Sequence, residues 1–100
     1  MSQAVYIVAH VKVKDIKRYI TEYALPFKPI LEKYQGEALV GTTKAEVLEG
    51  VRLGDWTVIL KFPSKELAEA CITSDEYAPL AKLRIEELSQ GGSVVMVPAN

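Results

Sequence analysis

The chain has 100 residues, of which 49% are hydrophobic and 25% charged, a composition typical of a single folded domain spanning residues 1–100. Twelve basic residues nearly balance thirteen acidic ones, and the net charge of -1 gives no field that would attract nucleic acid or an anionic membrane. The lone cysteine, Cys71, excludes an internal disulfide and fits a cytoplasmic protein. We therefore expect neither nucleic acid nor a membrane as a partner.

The first elements are a strand and a long helix. Apolar residues occupy both alternating positions from Ala4 to Val13, which predicts a strand with two largely apolar faces. Asp15 is suited to cap the amphipathic helix that follows. Pro26 and Pro29 cannot donate the hydrogen bonds of a helix interior, so a kink or break near Leu25 is expected.

Two further strands are predicted in the middle of the chain. Gly36 is a candidate helix C-cap, and the β-branched residues of Ala38–Lys44 favour a second strand. The long segment Ala45–Asp55 is typical of a functional loop or a hidden strand, and Glu46–Leu48 would extend the second strand into a hairpin arm. Trp56–Phe62 predicts the third strand, again apolar on both faces.

The last part of the chain predicts two helical stretches and a strand. Ser64 opens the first helix and Ser74 caps the second, whose apolar face also carries Arg84. Gly91 and Gly92 are expected to break the chain before a final strand over Ser93–Val97.

This element order, strand, helix, strand, strand, helix, strand, is the α+β ferredoxin-like arrangement, with the first and third strands in the middle of an antiparallel sheet. Its helices cover one face of the sheet only, whereas both faces of the central strands are apolar. A second copy of the chain would cover the open face, because large exposed apolar patches are rare on monomers. We therefore expect a homodimer through the sheet face, forming a dimeric α+β barrel.

The chain also resembles the DUF 1330 family along essentially its whole length. The residues that carry the resemblance are Asp15, Tyr19, Tyr23, Tyr34, Gly36, Gly41, Leu48-Glu49-Gly50, Phe62-Pro63-Ser64, Ala68, Ser74, Glu76-Tyr77 and Arg84. The resemblance implies membership of the dimeric α+β barrel superfamily, whose relatives include cofactor-free monooxygenases, muconolactone-type isomerases and haem-handling enzymes. The family itself has no characterised activity. The chain departs from the family pattern at Gly54–Thr57, where an Arg is common, and at Gln35-Gly36, where two glycines are frequent.

His10 is the only histidine and a candidate catalytic residue. It shares a strand face with Tyr6 and Val8, which we assign to the barrel interior, where an imidazole could act as a general acid or base. The alternative is a histidine that is only hydrogen-bonded within a sheet interface. A single histidine gives no support for a metal site, and we expect no metal or other cofactor.

Arg84 is the most informative of the candidate ligand-binding residues. It lies on the same helical face as Tyr77, and an inward-facing guanidinium needs partners because burying an unpaired charge is costly. Those partners are either Glu49 or Asp15, in a structural ion pair, or the carboxylate of a ligand, which the planar guanidinium would bind with two hydrogen bonds.

The candidate ligand-binding site with Arg84 and Tyr77 is completed by Glu49 and by three aromatic residues, Tyr19, Tyr23 and Trp56. Tyr19 and Tyr23 lie one helical turn apart and either pack in the core or direct their hydroxyls into a cleft. Trp56 either forms a platform for a ligand or belongs to the core or interface.

Two hypotheses about function follow. In the first, a dimer binds a small anionic or aromatic metabolite in the cleft between helices and sheet through Arg84, Tyr77, Tyr23 and His10. An enzyme of this kind would catalyse cofactor-free proton transfer or oxygen chemistry with His10 as the base. In the second, the chain is a non-catalytic homodimeric module whose polar residues only hold the fold together.

Overall fold

The computed structural model describes residues 3–99 and contains a four-stranded antiparallel sheet in the order β2-β3-β1-β4. The strands are β1 (Val5–Val13), β2 (Glu37–Thr42), β3 (Trp56–Phe62) and β4 (Ser89–Pro98). The helices are α1 (Ile16–Tyr19), α2 (Leu25–Lys33), α3 (Lys65–Ile72) and α4 (Ala78–Leu83), with π-helical segments at Ile20–Ala24 and Arg84–Leu88.

The predicted ferredoxin-like topology is confirmed. β1 and β3 occupy the centre of the sheet, with Ile7 opposite Leu60 and His10 opposite Thr57. The helices lie on the face to which Ile7 and Leu60 point, since these two side chains are in the core with helical residues. The opposite parity, which includes His10 and Thr57, therefore forms the other face of the sheet.

The first helical stretch begins as predicted but is not broken at the prolines. The side chain of Asp15 accepts hydrogen bonds from the backbone N–H groups of Lys17 and Arg18, at 3.0 and 3.3 Å. The chain then passes through the π-helical segment, where the N–H of Leu25 bonds to the carbonyl of Ile20. This wider turn directly precedes Pro26 and divides the helical stretch near Leu25, as predicted, while the helix continues through both prolines without a break.

The helix ends in a Schellman arrangement in which Gln35, not Gly36, has the left-handed conformation, with φ 64°. The N–H groups of Gln35 and Gly36 bond to the carbonyls of Glu32 and Leu31, at 3.0 and 2.9 Å. Gly36 is needed for a different reason than capping. A Cβ at this position would lie 2.7 Å from Cε1 of Phe62 and in contact with Leu31.

The final strand begins four residues earlier than predicted, at Ser89, and runs through Gly91 and Gly92. Both glycines have positive φ, and the pairing of β4 with β1 shifts register between Val11 and Val13. A Cβ on Gly92 would lie 2.9 Å from Cα of Val11. The glycines thus permit an irregular strand that the sequence pattern indicated as a break.

The connection between β2 and β3 contains no strand, so the predicted hairpin arm at Glu46–Leu48 is absent. Its last residues are tied to β1. The carboxylate of Asp55 accepts a 2.9 Å hydrogen bond from the N–H of Val13, and the N–H of Asp55 bonds to the carbonyl of Val11. This contact fixes the start of β3 at Trp56.

The two faces of the sheet differ in how well they are covered. Phe62, Leu88, Val11 and Cys71 are the largest fully buried side chains, and all belong to the layer between sheet and helices. On the other face, Val95 and Val97 lie opposite Val8 and Tyr6 and remain 48% and 41% exposed. The sequence expectation of apolar residues on both faces is therefore met.

None of the helices within residues 3–99 has the length and apolar character needed to cross a membrane.

Candidate functional site

A cavity of about 520 Å³ lies between the helices and the covered face of the sheet. This volume is within the usual range for sites that bind small molecules. Most of its wall is apolar and is contributed by side chains that include Ile7, Ala9, Phe27, Leu31, Val58 and Leu60. We call this space the helix–sheet cavity.

Two tyrosines and an arginine form the polar part of the helix–sheet cavity. Tyr23 lies in the first π-helical segment and Tyr77 directly precedes α4, and their hydroxyls share a 2.6 Å hydrogen bond. The guanidinium of Arg84 lies 5.7 Å from the centre of the Tyr23 ring. The three residues, Tyr23, Tyr77 and Arg84, are called the Tyr–Tyr–Arg cluster below.

Arg84 forms neither of the ion pairs that the sequence suggested. Asp15 caps α1, and Glu49 lines a separate pocket on the other face of the sheet. Across the described range 3–99, ion pairs connect Arg18 to Glu22 and Glu87, Lys33 to Glu76 and Lys65 to Glu69, and none includes Arg84. Its guanidinium is half-buried beside aromatic rings without a carboxylate.

The surroundings keep Tyr19, Tyr23 and Arg84 protonated. Burial raises the pKa of Tyr19 to about 12, although the charge of Arg84 works against that rise. Burial, followed by the neighbouring Tyr77, also raises the pKa of Tyr23. Burial lowers the pKa of Arg84, but the nearby hydroxyls of Tyr23, Tyr77 and Tyr19 outweigh it and leave that pKa raised. At neutral pH the cluster is a positively charged set of donors.

Tyr19 and Trp56 continue the aromatic wall of the cavity. The ring of Tyr19 lies 5.0 Å from that of Tyr23 and 6.0 Å from that of Trp56, between centroids. Both residues line the helix–sheet cavity. The indole Nε1 of Trp56 is buried without a hydrogen-bond partner among residues 3–99. Five of the seven predicted site residues, Tyr19, Tyr23, Trp56, Tyr77 and Arg84, thus share one cavity.

His10 and Glu49 lie elsewhere. Both line a pocket of about 330 Å³ on the other face of the sheet, beneath the loop that connects β2 to β3. Nδ1 of His10 is 3.1 Å from Oγ1 of Thr57, and the two form a hydrogen bond whose direction depends on the tautomer. The prediction that His10 contacts the same ligand as Arg84, Tyr77 and Tyr23 is therefore wrong, because alternate residues of a strand point to opposite faces.

Sequence reasoning missed Phe27 as a site residue. Its ring stacks on that of Tyr23 at 5.7 Å and lies 5.1 Å from that of Tyr77. The signal was present, since Phe27 follows Tyr19 and Tyr23 at the same four-residue spacing and so belongs to one helical face.

Metal ligands are not clustered in the part of the chain that the structure describes. No group of three or more His, Cys, Asp or Glu side chains there is arranged to hold an ion. The polar groups of the Tyr–Tyr–Arg cluster in the helix–sheet cavity are instead donors suited to an organic anion.

Comparison with known proteins assigns the chain to a family. The profile of the family described as "Domain of unknown function (DUF1330)" matches residues 4–99. No curated protein matches the chain.

Solved structures share the fold at low sequence identity. The RPA0582 protein of unknown function from Rhodopseudomonas palustris is similar with a TM-score of 0.80 and 14% identity, over 100% of this chain and 85% of that one. A Caulobacter crescentus CB15 protein described as a candidate antibiotic biosynthesis monooxygenase has a TM-score of 0.68 and 16% identity, over 99% of this chain and 92% of that one.

A third similar structure is a conserved protein from Bacteroides thetaiotaomicron VPI-5482 that carries the description "possible oxidoreductase". It has a TM-score of 0.64 and 16% identity, over 99% of this chain and 100% of that one. At such identities, these likenesses establish the fold and leave the activity open.

Proposed function

The chain belongs to the DUF1330 family, and from that premise we propose that it binds a small organic anion with an aromatic or apolar body in the helix–sheet cavity. The observation that carries the proposal is the guanidinium of Arg84, which lines this cavity without a carboxylate partner within residues 3–99.

The charge of Arg84 defines the anionic end of the ligand. A half-buried charge without a partner is unfavourable, and a ligand carboxylate would remove that cost with two parallel N–H···O hydrogen bonds. The carboxylates that line the cavity, Glu32 and Glu37, belong to exposed residues and do not form ion pairs with Arg84. Within residues 3–99, a ligand anion therefore has no ion-paired carboxylate to displace from the guanidinium.

The walls of the cavity define the rest of the ligand. The rings of Tyr19, Tyr23, Phe27 and Trp56 lie side by side, at centroid distances from 5.0 to 6.0 Å. Flat aromatic ligands gain both buried area and favourable ring contacts from such a wall. Naphthoate has this combination of a flat apolar body and one carboxylate.

Calorimetric titration with 2-naphthoate tests the proposal. We expect the wild-type protein to bind it, and Arg84→Gln to weaken binding by roughly 10- to 100-fold, the value of hydrogen bonds to a charged group. Lys82→Gln is the matched control, because it removes one positive charge from an exposed position only two residues before Arg84. Equal affinities for the wild type and Arg84→Gln would contradict the proposal.

We also propose that two copies of the chain associate through the open face of the sheet. Val95 and Val97 are exposed on that face, beside the half-buried Tyr6, Val8 and Ile59 of the central strands. An apolar sheet face of this kind is usually buried against another layer. A second sheet packed on it would give the dimeric α+β barrel.

The reaction class remains a proposal of its own. The descriptions of similar proteins as a candidate monooxygenase and a possible oxidoreductase suggest cofactor-free oxygen or proton-transfer chemistry for this chain. His10 does not support it as a base, since its side chain lies on the face away from the helix–sheet cavity. Oxygen uptake with an aromatic phenol as substrate tests this step, and no uptake above the uncatalysed rate would contradict it.

The alternative is a non-catalytic homodimeric module. The 2.6 Å Tyr23–Tyr77 hydrogen bond favours it, because that bond joins the two helical stretches and has a structural role without any ligand. A protein that dimerises but binds neither carboxylates nor phenols would support the module.

A further inference from the structure

Carboxylate binding by Arg84 does not use the O–H donor that the tyrosine pair of the Tyr–Tyr–Arg cluster provides. We infer that this cluster takes up weak oxygen acids, phenols or enols, in their anionic form and releases their proton to the solvent. The inference rests on the proposed function, since it requires a ligand in the helix–sheet cavity, and it specifies the chemical class and the protonation state of that ligand.

The hydroxyl pair supplies the first part of the argument. Two hydroxyls contain two hydrogens, and the 2.6 Å hydrogen bond between Tyr23 and Tyr77 uses one of them, whichever residue is the donor. The other hydrogen is not donated to any group among residues 3–99. The pair therefore presents one O–H donor that an oxygen anion could accept from.

Arg84 supplies the second part. Its guanidinium is 5.7 Å from the centre of the Tyr23 ring, and Arg84 lines the same cavity as Tyr23 and Tyr77, so the charge lies beside the ring that carries one of the paired hydroxyls. The buried tyrosines keep their protons, as their raised pKa values indicate for Tyr19 and Tyr23. The cluster thus has a net positive charge and no buried counter-ion in the described chain.

Charged residues elsewhere in the lining of the helix–sheet cavity do not cancel the positive charge of the cluster. Lys28 and Glu32 on α2 and Glu37 on β2 line the cavity, and all three are exposed to solvent. Solvent weakens their influence, whereas the apolar wall strengthens interactions at the cluster. The charge of Arg84 consequently favours the anion of a hydroxyl bound beside it and so lowers the pKa of that hydroxyl.

The chemistry balances without any other reactant. The O–H bond of the bound phenol or enol breaks, its electron pair stays on oxygen, and the proton passes to water or buffer. No redox change occurs. A nearby positive charge within about 4 to 6 Å lowers the pKa of an acid by roughly one to three units.

Spectrophotometric titration of 2-naphthol tests the inference, because its anion absorbs at longer wavelength than the neutral form. The 2-naphthol is titrated in the presence of saturating protein across roughly pH 6 to 10. We expect the pKa of bound 2-naphthol to fall by roughly one to three pH units relative to the free compound. A bound pKa equal to the free value would overturn the inference without the use of any variant.

Variants identify the groups responsible. Arg84→Gln should return the pKa of the bound phenol most of the way to the free value, and Arg84→Lys should keep part of the shift. The double variant Tyr23→Phe with Tyr77→Phe should also reduce it, while Lys82→Gln should leave it unchanged. A full shift in Arg84→Gln, with 2-naphthol still bound, would contradict the assignment.

The failures of the two proposals are distinguishable with the same protein sample. If 2-naphthoate binds but 2-naphthol binds only in its neutral form, the proposed function stands and this inference is wrong. If neither compound binds, both are wrong. If naphthalene competes with 2-naphthol equally well at every pH, the anionic form has no advantage and the inference is again wrong.

Discussion

The two faces of the sheet are built from the same strands, yet the chain covers only one of them with helices. On the helix side, Leu60 and Phe62 are buried, and the space left between sheet and helices is the helix–sheet cavity. On the open side, Val95 and Val97 remain exposed. The comparison teaches that similar apolar patterns are compatible with two proposed roles: a ligand site on the face that the helices cover, and a subunit interface on the face that they leave open.

The largest loss of stability should follow a substitution on the face of the sheet that the helices cover. Phe62→Ala removes a ring that is 0% exposed and contacts the region of Gly36, so we expect a loss of about 3–5 kcal/mol in the free energy of unfolding. Urea denaturation measures it. A loss below about 1 kcal/mol would mean that this face is not the main core.

Substitutions on the open face of the sheet should weaken dimer formation and leave the stability of the fold largely unchanged. The double variant Val95→Lys with Val97→Lys places like charges on the face that two copies would share, which costs several kcal/mol at an interface. We expect the dimer dissociation constant to rise by a factor on the order of 100 in sedimentation analysis. Leu25→Lys, at an exposed position of α2 on the helix side of the sheet, is the control and should have a much smaller effect.

A wild-type protein that sediments as an 11.1 kDa monomer would refute the proposed role of the open face directly.

A substitution of Arg84 distinguishes between a ligand-binding role and a structural role for this residue. Because it has no ion-pair partner within residues 3–99, Arg84→Gln should change the free energy of unfolding by no more than about 1 kcal/mol. Removal of one partner from a buried ion pair would instead cost about 3–5 kcal/mol. Thermal unfolding without ligand makes the measurement, and the larger loss would favour the structural module.

The smallest expected change in stability comes from an exposed ion pair on the outer surface of the helices. Lys33 and Glu76 form an exposed ion pair at 2.9 Å, and hydrogen bonds from Lys33 and then Tyr34 lower the pKa of Glu76. A carboxylate with a lowered pKa stabilises the fold above its ordinary pKa of 4.5, and that contribution is lost as the pH falls through the lowered value.

Glu76→Gln should therefore lower the melting temperature slightly at neutral pH and have no effect in strong acid, where the wild-type carboxyl is also neutral. Lys65 and Glu69 form a similar exposed pair on α3, so Glu69→Gln is a suitable comparison. A difference between wild type and Glu76→Gln that persists in strong acid would contradict this explanation.

Local signals in the sequence were sufficient for most of the fold. The alternation of Trp56–Phe62 gave the bounds of β3, and Asp15 and Ser64 cap helices because capping depends on neighbouring residues alone. The left-handed Gln35 and the strand through Gly91 and Gly92 could not be predicted, since both depend on contacts with distant segments.

The candidate site was predictable in composition but not in arrangement. Helical spacing brought Tyr19 and Tyr23 together, and Tyr77 and Arg84 likewise. His10 lies on the opposite face of β1, as its position in the strand indicates. The prediction that it shares a ligand with these four residues treated the two faces of the sheet as one interior. Whether Arg84 would find an acidic partner depended on the positions of Glu49 and Asp15 in three dimensions, which no spacing along the chain determines.

The most direct test of the central claim is a crystal structure of the wild-type protein grown with 2-naphthoate. We predict that the carboxylate lies within hydrogen-bond distance of the Arg84 guanidinium and that the rings pack along Tyr19, Tyr23 and Phe27. A ligand seated on the open face beside His10, or a helix–sheet cavity that stays closed to the compound, would contradict the account.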